Sequence, residues 1–305
     1  MTTPKVSFFI PAYNCAATLE QTVESIFDGN CQPGDEVVIV NDGSTDDTKQ
    51  VIRVLQERHP AIRAFDHRFN RGGGAARNTA VGNASHDVLF CLDSDNVLQR
   101  SSVPRLRQFM VSEGCDVTAF QSLFYFVSST AEVTHKWRFR SGQTTLSDYL
   151  AGAIVPGASG NYMFTRESWL NAQGYPEFAG ALDAWGFGLR QVARGQRMMV
   201  LPDSHYFHRH GHESYWVREA RSGKTSMIAL QLLIPFLDAL QKRDVDYVMS
   251  RRGRYGWFEN LDRRPLRVVS GRRGLAGTIE EDRRPAELRA GSTKRWIRAF
   301  VRLVR

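Results

Sequence analysis

Four short apolar runs, each closed by a turn and followed by a helical pattern, constrain this chain most. They are Lys5–Ile10, Glu36–Val40, Ile62–Phe65 and Asp87–Leu92. All have strand length, and their near-continuous apolarity is that of strands buried on both faces. Between the first two, Ala17–Asp28 carries Leu19, Val23, Ile26 and Phe27 at helical spacing, with Gly29 placed to end the helix. After the second, Ser44 is placed to cap a helix running to Arg58, with Asp46 and Asp47 in its first turn and Pro60 beyond its end. A third helix is expected from Gly74 to Gly82. Strand–helix units in series predict a parallel sheet with right-handed crossovers. The first strand is expected to stop at Pro11.

Beyond Asn96 the alternation loosens. Val103–Met110 and Leu182–Arg194 read as helices. Val117–Val127, Tyr162–Phe164 and Met198–Leu201 read as strands, and Thr130–Val155 has no clear pattern. Tyr215–Lys242 reads mostly as helix, broken or kinked at Pro235. A boundary is expected near Met249–Arg252, where the composition turns basic.

Among 305 residues, 42% are hydrophobic and 24% charged, which is ordinary for a globular protein. The apolar stretches are too short for a secretory signal or a membrane span. Cys15, Cys31, Cys91 and Cys115 show no Cys-x-x-Cys spacing. Reduced thiols in a cytoplasmic protein are therefore expected. The net charge of +8 is uneven: Arg251–Arg305 holds 16 Lys and Arg against 6 Asp and Glu, so the remainder is near neutral.

Polar clusters fall at the strand ends, where open α/β sheets bind ligands. Pro11-Ala12-Tyr13-Asn14 follows the first strand, and its ring could frame a nucleobase. Asn41-Asp42-Gly43-Ser44-Thr45-Asp46 follows the second. Here Ser44 and Asp46 read as helix-capping residues, leaving Asp42 for a base N–H. Asn70-Arg71-Gly72-Gly73-Gly74-Ala75-Ala76-Arg77-Asn78 is a glycine-rich helix entry. Such entries favour anions, with Arg71 or Arg77 as the phosphate partner. Asp93-Ser94-Asp95 ends the fourth strand, and its paired carboxylates suit a hard divalent cation.

In order and spacing, these four segments across residues 6–96 resemble the donor half of the family 2 glycosyltransferases of GT-A fold. The resemblance implies an α/β fold with a mostly parallel central sheet flanked by helices. It also implies sugar transfer from a nucleoside-diphosphate donor, a UDP-sugar favoured over a GDP-sugar, with inversion at the anomeric carbon. By position, Pro11, Ala12, Tyr13, Asn14, Asp42, Asn70, Arg71, Arg77, Asp93 and Ser94 would bind the donor. Asp93 and Asp95 would hold Mn²⁺ or Mg²⁺.

The later block Asp183-Ala184-Trp185-Gly186-Phe187-Gly188-Leu189-Arg190 resembles the family's acceptor segment, but Ala184 stands where the family's usual catalytic base falls. Asp183 is read as taking that role through a shifted loop; otherwise the base lies elsewhere, with Glu177 a poorer candidate, or the protein is weakened or inactive. Gly160, Asn161 and Trp185 would line the acceptor site. Four histidines crowd Leu201–His212, and family members often draw a third metal ligand from this region. His208 is the first choice and His210 the second, since an extended segment points both the same way.

The expected organisation is a transferase domain over residues 1–215, with a nucleotide-sugar half (1–96) and an acceptor half (97–215). A helical segment (216–250) and a basic tail (251–305) follow. The arginine-rich Arg251–Arg289, poor in aromatics, reads as partly unstructured. In the last twelve residues Trp296, Ile297, Phe300, Val301 and Val304 share one helical face, with arginines mostly off it. That pattern suits an anionic membrane at the inner face of the plasma membrane and a glycan or lipid-linked acceptor. A packing helix or dimer contact remains its alternative. Two rival readings are a non-catalytic glycan- or nucleotide-sugar-binding relative and a nucleic-acid binder. The second has only nonspecific charge behind it, so no specific nucleic acid is expected.

Overall fold

The computed structural model describes residues 3–152, 154–211 and 223–269. The terminal amphipathic segment, the arginines beyond Val269 and His212 lie outside these residues.

The expected alternation is present. In chain order, β1 (Val6–Ala12), α1 (Leu19–Phe27), β2 (Glu36–Asn41), α2 (Thr48–Arg58), β3 (Ile62–Asp66), α3 (Gly73–Asn83) and β4 (Val88–Cys91) form a parallel unit. There follow β5 (Val97–Leu98), α4 (Ser102–Glu113), β6 (Val117–Phe126), β7 (His135–Arg138), β8 (Gly142–Thr144), α5 (Leu146–Tyr149) and α6 (Pro156–Ser159). Next come β9 (Tyr162–Thr165), α7 (Arg166–Asn171), α8 (Asp183–Ala193) and β10 (Met198–Arg209). The sheet order is β3-β2-β1-β4-β9-β6-β10-β5, with β7 on β6 and β8 on β10. β9 runs antiparallel to both of its neighbours, while β10 is parallel to β6.

Alternate side chains of each strand feed two cores. Phe8, Ile10, Val37, Ile39 and Phe90 pack under α1, α2 and α4 through Leu19, Val23, Ile26, Ile52, Leu55 and Leu106. Phe9, Val38, Val40 and Leu89 face Ala76, Ala80, Phe187 and Leu189 on α3 and α8. Both faces are dry, which is why the strand sequences lack a polar phase.

Several elements depart from the sequence reading. β1 does not stop at Pro11; Pro11 pairs with Val40 and Ala12 with Asn41. Phe9 accepts from Leu92 on the β4 side, whereas Ala12 accepts from Asp42 on the β2 side. The alternation therefore turns Pro11's missing N–H toward β4, whose pairing has ended at Cys91, so no ladder bond is lost. Ser44 does not cap α2: its hydroxyl accepts from the Asn14 amide, and the helix starts at Thr48. Asp46 accepts from the amides of Thr48 and Ala16. β10 is much longer than Met198–Leu201. It shifts register between Leu201 and His205, and this carries it on through the histidine segment. Thr130–Val155 supplies β7, β8 and α5. By contrast, Gly29 ends α1 as expected, with φ +77°.

After residue 222 the chain forms α9 (Thr225–Leu233), a 3₁₀ turn (Ile234–Ala239) begun by Pro235, and α10 (Lys242–Met249). α11 (Arg251–Arg254) follows. No helix among the described residues is long and apolar enough to cross a membrane. The expected boundary near Met249–Arg252 separates no packed units. Trp257, Phe258, Leu261 and Leu266 are buried in the same core as Phe9 and Trp185, and the Trp257 indole donates to the Ser226 carbonyl at 3.0 Å. Charge counting missed them because four apolar anchors suffice to bind an otherwise basic segment. Trp257→Ala is expected to cost about 3–5 kcal/mol in denaturant unfolding, the usual loss for a buried large aromatic; a separate tail would show almost none.

Candidate active site

The Asp93-Ser94-Asp95 turn follows directly on β4, and its first carboxylate is tightly held. Asn161, at 1% exposure, accepts from the Asp93 amide at 2.7 Å and donates to Asp93 Oδ2 at 3.0 Å. Gly160 has φ +73°, and a Cβ there would meet Asp93 Oδ2 at 3.0 Å. Glycine is therefore needed both for the backbone and for the close approach. Gly160 and Asn161, expected to line the acceptor site, brace Asp93. The rest of the turn is tied down by neighbours. Thr18 donates to the Ser94 carbonyl at 2.9 Å, Arg209 Nε donates to the Asp95 carbonyl at 3.0 Å, and the Arg209 amide donates to Asn96 Oδ1.

Arg77 joins this turn to α8. One guanidinium nitrogen lies 2.7 Å from Asp93 Oδ1 and the other 2.6 Å from Asp183 Oδ2. The residue is 9% exposed and Asp183 is 5% exposed. Burial alone would lower the proton affinity of Arg77, but Asp183 and Asp93 outweigh it and keep the guanidinium charged. Burial pushes the Asp183 carboxyl up, against the pull of Arg77. Its Oδ1 accepts from the Ala184 amide. Two expectations change here. Arg77 has its terminal nitrogens on protein carboxylates rather than held out for phosphate. Asp183 is buried with both oxygens hydrogen-bonded, to Arg77 and to the Ala184 amide, so in this arrangement it serves as the counter-ion of Arg77.

The nucleoside side is more open. Tyr13 is 44% exposed beside the Pro11–Ala12 strand end. Asn14 is committed to the neighbouring loop: its Oδ1 accepts from the Thr45 amide at 2.8 Å, which a donor contact would have to share. Asp42 is buried and takes three donors, with the Arg71 and Gly72 amides at 2.9 and 2.8 Å and the His67 ring at 2.6 Å. It thus shapes the glycine-rich loop. Asn70 and Arg71 are exposed on that loop, and Arg71 reaches Glu177 at 3.4 Å.

His208 on β10 and His210 just past its end have ring centroids 4.8 and 5.9 Å from Tyr125. His210 is buried, with Nε2 2.7 Å from the Thr134 hydroxyl, while His208 Nδ1 is 3.4 Å from the Tyr206 hydroxyl. The Tyr206 hydroxyl in turn meets Asn161 Nδ2 at 3.3 Å, so His208 is linked to Asp93 through two side chains. Burial, then the Asp93 charge, keeps Tyr206 protonated. Carboxylate oxygens with an imidazole form a donor set that Mn²⁺ or Mg²⁺ accepts. Its chemistry fits, although among the described residues no three His, Cys, Asp or Glu stand close enough to hold an ion.

The family model for glycosyl transferase family 2 matches residues 7–172, more than half of the chain. The chain belongs to this family. Over 100 residues it is 40% identical to a chondroitin synthase of Escherichia coli, a match covering 33% of this chain and 14% of that protein. Over 93 residues it is 33% identical to a poly-beta-1,6-N-acetyl-D-glucosamine synthase of Staphylococcus epidermidis, covering 30% and 22%. The chain thus spans less than a quarter of the length of these relatives. Among solved structures, TarS 1-349 of S. aureus in complex with UDP-GlcNAc superposes with a TM-score of 0.62 at 18% identity, over 81% of this chain and 71% of that one. The mannosyltransferase PcManGT of Pyrobaculum calidifontis, in complex with GDP-Man and Mn²⁺, gives 0.58 at 20% identity, over 78% and 65%. These likenesses establish the GT-A fold.

Within this family fold, Trp185 proves to be core. It is 2% exposed and packs on Tyr149 and Phe258, so it has no face for a sugar. Its burial depends on the basic C-terminal segment that was expected to lie apart. Sequence reasoning missed His67, Tyr206 and Arg209 as supports of the site. Each acts through a partner distant in the chain, and no local pattern marks it.

Removing one member of a buried ion pair typically costs about 3–5 kcal/mol, because the other charge is stranded. Arg77→Met should therefore lower the unfolding midpoint sharply, and adding Asp183→Asn should restore part of the loss. Denaturant unfolding of the single and double variants checks both.

Proposed function

We propose that this chain transfers a sugar from a nucleoside-diphosphate donor, a UDP-sugar, to a hydroxyl of a glycan, with inversion at the anomeric carbon. The observation that carries the proposal is the Asp93-Ser94-Asp95 turn. It leaves the carboxyl end of a central parallel strand, next to the β1 end and joined through Arg77 to the glycine-rich helix entry. Family membership and the matches to polysaccharide synthases support the reaction class. The TarS structure with UDP-GlcNAc supports a uridine donor.

In this reading Tyr13 frames the base and Asp42 presents the glycine-rich loop. Arg71, half-exposed and paired with Glu177 through a long contact of 3.4 Å, pairs with the diphosphate. Asp93, Asp95 and His208 are the residues that would hold a divalent ion. When bound, the ion would neutralise charge on the leaving diphosphate. Asp183 balances Arg77, which keeps Asp93 oriented. The basic amphipathic end of the sequence, outside the described residues, suits a lipid-linked or membrane-proximal acceptor.

Incubation with a panel of UDP- and GDP-sugars, with Mn²⁺ or with EDTA, tests the proposal by nucleotide release. UDP release from at least one donor is expected, lost with EDTA and reduced about 10²-fold or more in Asp95→Ala, since transition-state charge stabilisation is worth that much. Release unaffected by EDTA and by Asp95→Ala would remove the metal assignment, and absence of release from every donor would remove the transferase reading.

A further inference from the structure

Building on the transferase reading, we propose that the general base is Glu177, which lies under Arg71 until a donor diphosphate draws that arginine away. An attacking hydroxyl must give its proton to a group within hydrogen-bond reach. Ala184 offers none. Asp183 is sealed: Oδ2 is on Arg77 at 2.6 Å, Oδ1 is on the Ala184 amide, and a Cβ at Gly73 would lie 2.9 Å from Oδ2. Asp93 has Arg77 on one oxygen and Asn161 on the other.

Glu177 differs from both. It begins the 3₁₀ turn Glu177–Leu182 that leads into α8, and its side chain is 47% exposed. Its Cα lies 3.2 Å from where Gly74 would carry a Cβ, so it stands over the first turn of α3. That turn follows Gly72, whose amide Asp42 binds, and leads to Arg77. Glu177 Oε1 accepts from Asn78 Nδ2 at 3.1 Å. Asn78 is itself immobilised by the Tyr175 amide and carbonyl and by the Trp169 indole, so it forms a fixed pivot. Among the described residues, Oε2 has only the 3.4 Å contact with Arg71, which is 44% exposed. An exposed pair at that length is weak, and a diphosphate offers the guanidinium a stronger, bidentate partner. Donor binding would thus release Oε2 toward the acceptor.

In the step, the acceptor oxygen bonds to the anomeric carbon as the bond from that carbon to the β-phosphate oxygen breaks. The electron pair leaves with the nucleoside diphosphate. The hydroxyl proton passes to Glu177 Oε2 and then to solvent.

The test uses the full chain, Mn²⁺ and the UDP- and GDP-sugar panel, with water as acceptor and nucleotide release as readout. Glu177→Gln keeps the hydrogen bond to Asn78. It should lower kcat by about 10²–10⁴-fold, leave UDP affinity within about twofold, and abolish the acid limb of the pH profile of kcat/KM. Glu177→Asp should recover part of kcat and keep that limb. Glu177→Gln activity within about threefold of wild type, or an acid limb that persists, overturns the base assignment alone. Wild-type protein that releases nucleotide from no donor overturns the transferase reading, and this inference with it.

Discussion

Arg77 is a guanidinium almost removed from water, and it is retained there only because Asp93 and Asp183 both face it. The three residues come from the end of β4, the first half of α3 and the start of α8. A buried cation needs its partners at hydrogen-bonding distance, so each of those elements has little freedom to shift relative to the others. The Asp-x-Asp turn is thereby fixed relative to the glycine-rich loop before any ligand arrives. Asn161 and Tyr206 extend the same network toward His208.

The network also explains why acids of similar sequence prominence differ in chemistry. Asp183 satisfies a buried charge and is closed to solvent. Glu177, six residues earlier, pairs with an exposed arginine and is open. Burial separates the structural carboxylate from the available one, and no pattern of residue types marks that distinction in advance.

The sheet was legible in the chain because both of its faces are dry. Each of the first four strands had to be apolar throughout, and each helix between them needed one apolar face. Their order then required a parallel sheet with ligand chemistry at the strand ends. The errors arose where a partner outside the local window decided the outcome. Pro11 is tolerated in β1 because β4 has already ended beside it. Ser44 serves Asn14 rather than the following helix. Trp185 is core because Phe258, from a stretch that charge alone assigned to a tail, packs against it.

Residue order alone was enough for the fold class, the family and the location of the Asp-x-Asp turn. The fold class follows from strand periodicity and the candidate site from polar residues at strand ends, both local properties of the chain, and the family from the resemblance of those segments in order and spacing. Which side chains meet was settled only by the folded arrangement: Arg77 with two carboxylates, Asn161 beneath Asp93, His67 on Asp42 and Glu177 under Arg71. The first and last of these contacts span 106 residues in sequence, Arg77 to Asp183 and Arg71 to Glu177. Contacts at that separation depend on how the helices and the antiparallel β9 pack against the sheet, which residue spacing does not encode.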